Sequence, residues 1–443
     1  MENTNHSFWS KTANSVTLKA VIIGFLILVL MIPASMITDL VREREYASES
    51  VADEISSKWG GRQTIAGPVI AVPYRYKGER EYAYFLPEEL NIEAGATPDI
   101  RYRSIYRVAV YQSDIRISGR FNHPDFSKLS RTATSIDWAN AFVFVGISDV
   151  KGIRSNIAFN WNGKAEEATP GISGSSIVES GVTVKIPLAA AQAGDAGYMF
   201  DISLTLNGAG GLYFIPAGKT TKASMASSWP SPGFNGAFLP DERSVTPKGF
   251  TAQWNVYNFN RNFPQEFTGH EYDINSSEFG VNLLFPVDHY QKVMRSAKYA
   301  IMFIALTFMV FFLIEITGRR KIHPLQYFLV SVGLILFYSL LLAFSEQMSF
   351  HTAYVISASA IIVLITAYSQ SIFRNIRKTM LMALFLVILY AFLYTILQIE
   401  DMALMIGSIG LFIALATVMY VSRKIDWYSS SEEKNTATLN GAN

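Results

Sequence analysis

Glu315 interrupts the apolar run FFLIEITGRR and is the first residue whose setting suggests chemistry. A carboxylate at membrane depth is costly unless it is paired or reaches the interface. Arg319, one helical turn on, is the expected ion-pair partner; a proton or substrate relay is the alternative. Gln326 and His323 fall at the same edge and are placed to join a network there. Glu346 follows another apolar run, with Gln347 and His351 close behind. Together with Glu400 and Asp401 it forms an acidic set expected on the opposite membrane face. Arg295 and Lys298 precede a further apolar run, and pairing with Glu346 would let them couple an external domain to membrane helices.

Reactive motifs are sparse. His270-Glu271 begins like a zinc-protease helix, but Ile274 stands where the second histidine is required. The six histidines are scattered, so they suggest no compact ligand set, and the chain has no cysteine for thiol or thiolate chemistry. Gly171-Ile172-Ser173-Gly174-Ser175 is glycine- and serine-rich without the G-x-S-x-G elbow of a hydrolase. No P-loop or dinucleotide fingerprint occurs. No cofactor is therefore expected. Trp229, Phe234, Phe238 and Trp254 lie among Pro230 and Pro232, a composition that suits either a recognition groove or a β core; the core reading is preferred. Arg261 with Gln265 reads as a buried structural pair.

The elements that must hold these residues are mostly membrane helices. Half of the 443 residues are hydrophobic and only 16% are charged, against roughly a quarter in ordinary proteins. The net charge is +1, with no long basic block to follow a nucleic acid. Runs of about 20 apolar residues, enough to span a bilayer, occupy 20–40, 299–316, 325–344, 352–368, 379–397 and 402–421. Six spans put both termini on one side. Arg319, Arg320 and Lys321, then Arg374, Arg377 and Lys378, then Arg423 and Lys424 mark that side. The opposite short loops hold Glu346, Glu400 and Asp401 and neither Lys nor Arg. This asymmetry makes the basic side cytoplasmic. The first apolar run exceeds a signal-peptide core and lacks a clear cleavage site, so it is read as a retained anchor.

The intended organisation is a cytoplasmic N-terminus (1–19), a first span (20–40), a periplasmic domain with helical stalks at both ends (41–298), spans two to six (299–421) and a cytoplasmic tail (422–443). Between the stalks the apolar period changes to two. Tyr106–Phe121 alternates Val108, Val110, Ile115 and Ile117 with polar neighbours. Shorter runs occur at Val69–Tyr76, Val182–Leu188, Phe200–Leu206 and Val281–Val287. Pro73, Lys77-Gly78, Asn207-Gly208 and Gly210-Gly211 are read as the turns between strands. The expected fold is an integral membrane protein: a multi-span α-helical bundle with a large, mainly β external domain, a sandwich, inserted between helices 1 and 2.

Several stretches resemble the CreD family of inner-membrane proteins. They include KWGGRQTIAGPVIAVPY (Lys58–Tyr74), SSWPSPGFNGAFLPDER (Ser227–Arg243), GFTAQWNVYNFNRNFPQ (Gly249–Gln265), HPLQY (His323–Tyr327) and SRKIDWY (Ser422–Tyr428). The resemblance runs from the first span almost to the C-terminus. It implies a stress-linked role in envelope integrity and implies no reaction, substrate or cofactor. The expected function is accordingly non-enzymatic: a periplasmic domain senses or binds an envelope component above anchoring helices. A transporter or lipid-handling module is the alternative, and a membrane-embedded enzyme ranks third. Membrane lipids are expected partners, as is a periplasmic protein, peptidoglycan or lipid ligand; nucleic acid is not.

Overall fold

A run with no glycine between Gly24 and Gly60 forms one helix, α1 (Val16–Trp59), in this computed structural model. The structure describes residues 16–129, 133–172, 177–188, 197–269, 271–283, 289–318, 322–399 and 402–423. Pro33 lies inside α1 without ending it. Gly60 ends it: its φ is +132°, and an added Cβ would lie 2.6 Å from the Asn207 carbonyl oxygen. Only glycine accepts both that dihedral and that approach.

The chain divides into two units, Ser48–Pro286 and Met1–Ala47 with Val287–Asn443. The first is built from two mixed sheets, one of ten strands and one of eight. In the larger sheet, Gln63–Tyr76 is central. It pairs in parallel with Gly211–Ile215 and antiparallel with Glu79–Phe85 and Phe142–Ile147. Nearly every residue of this strand is buried, so it reads as a continuous apolar run and not as an alternation. The smaller sheet runs Glu242–Thr246, Gly249–Tyr257, Thr220–Ser227, Glu89–Arg103, Tyr106–Phe121, Tyr198–Ala209, Ala158–Trp161, Lys164–Glu166. Its strands alternate cleanly, burying Ile92, Ile115, Ile117 and Leu204. Those side chains share one hydrophobic core with Val69, Phe144, Phe214 and Phe279 of the other sheet. The expected sandwich is present.

Two turn assignments are corrected. Asn207-Gly208 lies within the strand Tyr198–Ala209, opposite Gln112 and Tyr111. Glycine is needed there for space, since an added Cβ would come within 2.2 Å of the Tyr111 hydroxyl. That hydroxyl donates to the Gly211 carbonyl at 2.7 Å, and burial pushes its phenol well above the usual tyrosine range. Pro73 likewise lies inside a strand, opposite Tyr82. On its other side the neighbouring segment asks only for acceptors: Asp137 N–H bonds the Pro73 carbonyl and Thr134 N–H the Arg75 carbonyl. A missing N–H therefore costs nothing. Lys77-Gly78 is a two-residue hairpin turn as expected, with φ of +52° and +89°.

The second unit contains the remaining helices: α2 (His289–Lys298), α3 (Ala300–Gly318), α4 (Pro324–Ser345), α5 (Phe350–Phe373), α6 (Ile376–Gln398) and α7 (Ala403–Ser422). Among the described residues, α1, α4, α5, α6 and α7 are each long and apolar enough to cross a membrane. The pair α2 and α3, bent by 44°, gives a sixth when taken as one span. At the bend the Tyr299 N–H bonds the Ser296 carbonyl, three residues back, a tightened turn that redirects the axis. α4 packs most deeply, and α1 and α7 most lightly.

Candidate functional site

Among the described residues of the membrane helices, the buried charged side chain is Glu315, 7% exposed near the end of α3. Its Oε1 forms an ion pair with Lys19 Nζ of α1 and accepts the Ile322 N–H at 2.9 Å. Its Oε2 accepts the Tyr327 hydroxyl at 3.0 Å. The connection from α3 to α4 supplies one of these donors, Ile322, and the first turn of α4 supplies another, Tyr327. Pro324 opens α4, His323 Nδ1 accepts the Leu325 N–H, and Gln326 Oε1 accepts the His323 N–H. This reciprocal cap fixes the backbone that turns Ile322 toward Glu315. Tyr327 is held edge-on against Phe308 and beside Phe311. A buried carboxylate needs such a donor set to stay charged. The arrangement ties α1, α3 and α4 together.

Lys19 and Tyr327 carry this cluster, and neither was singled out from the sequence. Arg319, the partner expected from spacing, lies outside the described residues. Gln326 serves the helix cap. At the other end of the bundle, Glu346 Oε1 accepts the Tyr290 hydroxyl at 3.3 Å. Arg295 Nη2 donates to the Leu397 carbonyl at 3.4 Å, and Lys298 is exposed at the end of α2. Thus α2 is fastened to α4 through Tyr290 and Glu346 and to α6 through Arg295 and the Leu397 carbonyl. Glu400, Asp401, His270 and the serines of the Gly171–Ser175 loop fall outside the described residues.

In the β unit, Trp229 and Trp254 are 6% and 1% exposed. Trp254 packs on Phe279 at 5.5 Å and Phe234 at 6.2 Å, so this aromatic group is core. Arg261 is also buried. It donates to the Phe263, Pro264 and Ala217 carbonyls and to Gln265 Oε1, and its guanidinium lies over the Phe263 ring. Loss of water pushes it down to about 10. Gln265 in turn donates to the Pro87 carbonyl at 2.8 Å, joining separate loops.

The outward face of the eight-stranded sheet holds a feature the sequence reading did not single out. Pairing register aligns two rows across five strands: Gln253, Ser224, Glu93, Arg116 and Ser203, then Thr251, Ala226, Gly95, Asp114 and Thr205. Because the second row centres on Ala226 and Gly95, the surface sinks into a trough. Its two adjoining hollows measure about 650 and 560 Å³. Five strands at about 4.8 Å spacing make it roughly 19 Å long. Arg116 forks onto Asp201 with contacts of 3.2 and 2.6 Å, and Thr205 donates to Asp114 at 2.8 Å. Period-two alternation marks all ten positions as outward, and that was the available signal. Among the described residues, no group of three His, Cys, Asp or Glu is placed to hold a metal.

A family model described as "Inner membrane protein CreD" matches residues 15–428. "Inner membrane protein CreD" of Escherichia coli (strain K12) is 34% identical over 430 residues, covering 93% of this chain and 94% of the relative. The chain belongs to the CreD family. It is thus a bacterial multi-pass inner-membrane protein with a large periplasmic β-sheet domain, and its transmembrane helices contact lipid. Among solved structures, an M1 zinc metallopeptidase of Deinococcus radiodurans shares 11% identity at a TM-score of 0.20 over 39% of each chain. A second structure of that enzyme gives 9% and 0.19, covering 39% of this chain and 38% of that one. Scores this low carry no argument about the fold or activity of a CreD-family chain.

Proposed function

We propose that this chain is a non-enzymatic envelope protein whose periplasmic domain binds an elongated envelope component in the trough of the eight-stranded sheet. The trough itself supports the reading. Its floor is small, its walls offer hydroxyls, an amide and both signs of charge, and its length suits an extended chain. Peptidoglycan, rich in hydroxyl and amide groups, has the matching chemistry. Family membership adds an inner-membrane location facing that polymer. The helices anchor the domain, and the Lys19–Glu315 pair supports anchoring over transport, because both Glu315 oxygens are already occupied.

The test is a photo-crosslinking side chain at Gln253 or Ser224 in intact cells, followed by muramidase digestion and mass analysis of the adducts. Gly95→Trp is the blocking variant, since open space surrounds the position where its Cβ would stand. Muropeptide adducts that disappear in Gly95→Trp are expected. Adducts to a protein or a lipid alone would reject peptidoglycan as the ligand. Adducts unaffected by Gly95→Trp would reject the trough.

A further inference from the structure

A cavity of about 760 Å³ opens between α3, α6 and α7, within the roughly 300–1,000 Å³ range of small-ligand sites. Its walls are almost wholly apolar, with Leu306 and Leu313 from α3, Phe385 and Phe392 from α6, and Ala414 from α7. Among the described residues, Lys378 at the start of α6 is its one charged lining residue. Gly410 allows α7 to approach, since an added Cβ would lie 2.0 Å from the Phe392 ring. From Lys378 to Phe392 the groove follows α6 for about 21 Å at 1.5 Å per residue. That is somewhat more than the roughly 15 Å depth of one hydrocarbon leaflet.

Basic residues cluster near Lys378. Arg374 caps α5, Arg377 precedes Lys378 in the first turn of α6, and Arg423 stacks over Tyr420 at 4.1 Å at the end of α7. No acidic residue occurs between Gln370 and Thr379, and Asn375 already caps the α6 N-terminus. We propose that this groove is a binding site for an anionic glycerophospholipid, with one acyl chain along α6 and the phosphate on Lys378. A second copy of this chain fits poorly. Both copies share one membrane orientation, so its own basic edge would meet Lys378 and Arg423. Lipid that merely bathes the helices would share a general attraction to this basic edge, whereas a site built around Lys378 would lose its headgroup preference when Lys378 alone is neutralised.

The experiment is native mass spectrometry on the full-length protein in detergent, titrated with phosphatidylglycerol and, separately, phosphatidylcholine of the same acyl chains. The expected result is about tenfold tighter retention of phosphatidylglycerol, equivalent to roughly 1.4 kcal/mol. Lys378→Gln should abolish the headgroup preference while leaving weak binding of both lipids. Ala414→Trp, which fills the groove, should reduce retention of both. Unfolding temperature in detergent checks that each variant is folded, and Lys378→Gln alone decides the matter if Ala414→Trp is not. Equal retention of the two lipids by the unaltered protein would overturn the proposal, as would an unchanged preference in Lys378→Gln. So would efficient disulfide dimerisation through a cysteine replacing Ala414 in native membranes, which would make the groove a protein interface.

Discussion

Glu315 has both oxygens engaged by donors, so replacing one oxygen with an amide NH2 sets donor against donor on that side. Glu315→Gln should destabilise the detergent-solubilised protein by about 1–3 kcal/mol, the usual cost of leaving a buried polar group unsatisfied. Lys19→Met should cost less in that background than alone, and a double-mutant cycle by thermal unfolding measures the coupling. Strictly additive losses would show that the two side chains do not support each other. Gly208→Ala tests a different kind of constraint, because the new methyl group would meet the Tyr111 hydroxyl. Overpacking of this kind costs about 1–3 kcal/mol, read as a lower denaturant midpoint. That Glu315 needs an ion pair was legible from sequence, but its partner was not, and Gly208 was read as part of a turn. The motif Asn-Gly signals a turn only when tertiary packing does not claim the glycine. Lys19 and Glu315 are separated by 296 positions, and no local spacing rule reaches that far.

In the outer part of α1, Val51, Ala52, Ile55 and Trp59 pack against Val108, Val110 and Ala209. Trp59 Nε1 donates to the Tyr111 carbonyl at 3.4 Å, and Arg101 lies over its ring at 4.5 Å. Trp59→Ala should weaken this seat by about 1–3 kcal/mol, seen as faster hydrogen exchange in 48–59 while the sheets stay protected. Glu54 pairs with Arg103 and Lys58, and these partners, Arg103 first, hold its carboxyl down at about 2 instead of 4.5. A depressed carboxylate stabilises fully above its ordinary value and stops doing so as pH falls through the lowered one. Protection of 48–59 should therefore decline from pH 4.5 toward pH 2, and Arg103→Ala should flatten that dependence. An unchanged pH profile in Arg103→Ala would remove the pair from the account. The trough was half legible. Alternation told which residues face outward, but the parallel pairing of Thr220–Ser227 with Glu89–Arg103 decides which of them become neighbours.

For the whole molecule, the absence of native cysteine makes sidedness directly measurable. Cysteines replacing Gln253 and Met348 should react with a membrane-impermeant thiol reagent once the outer membrane is permeabilised. One replacing Ser371 should react only after the inner membrane is opened; free labelling there in spheroplasts would overturn the six-span arrangement. The apolar runs were the most legible part of the chain, because bilayer thickness dictates their length whatever their neighbours are. The Lys19–Glu315 pair has a further consequence, for biogenesis. At about 5–20 residues per second, the ribosome takes roughly 15–60 s to add the 296 residues between them. During that interval α1 waits in the bilayer with its lysine uncompensated, while the whole periplasmic domain is made and exported. Closing the pair is thus a late assembly step, because α1 is synthesised long before its partner.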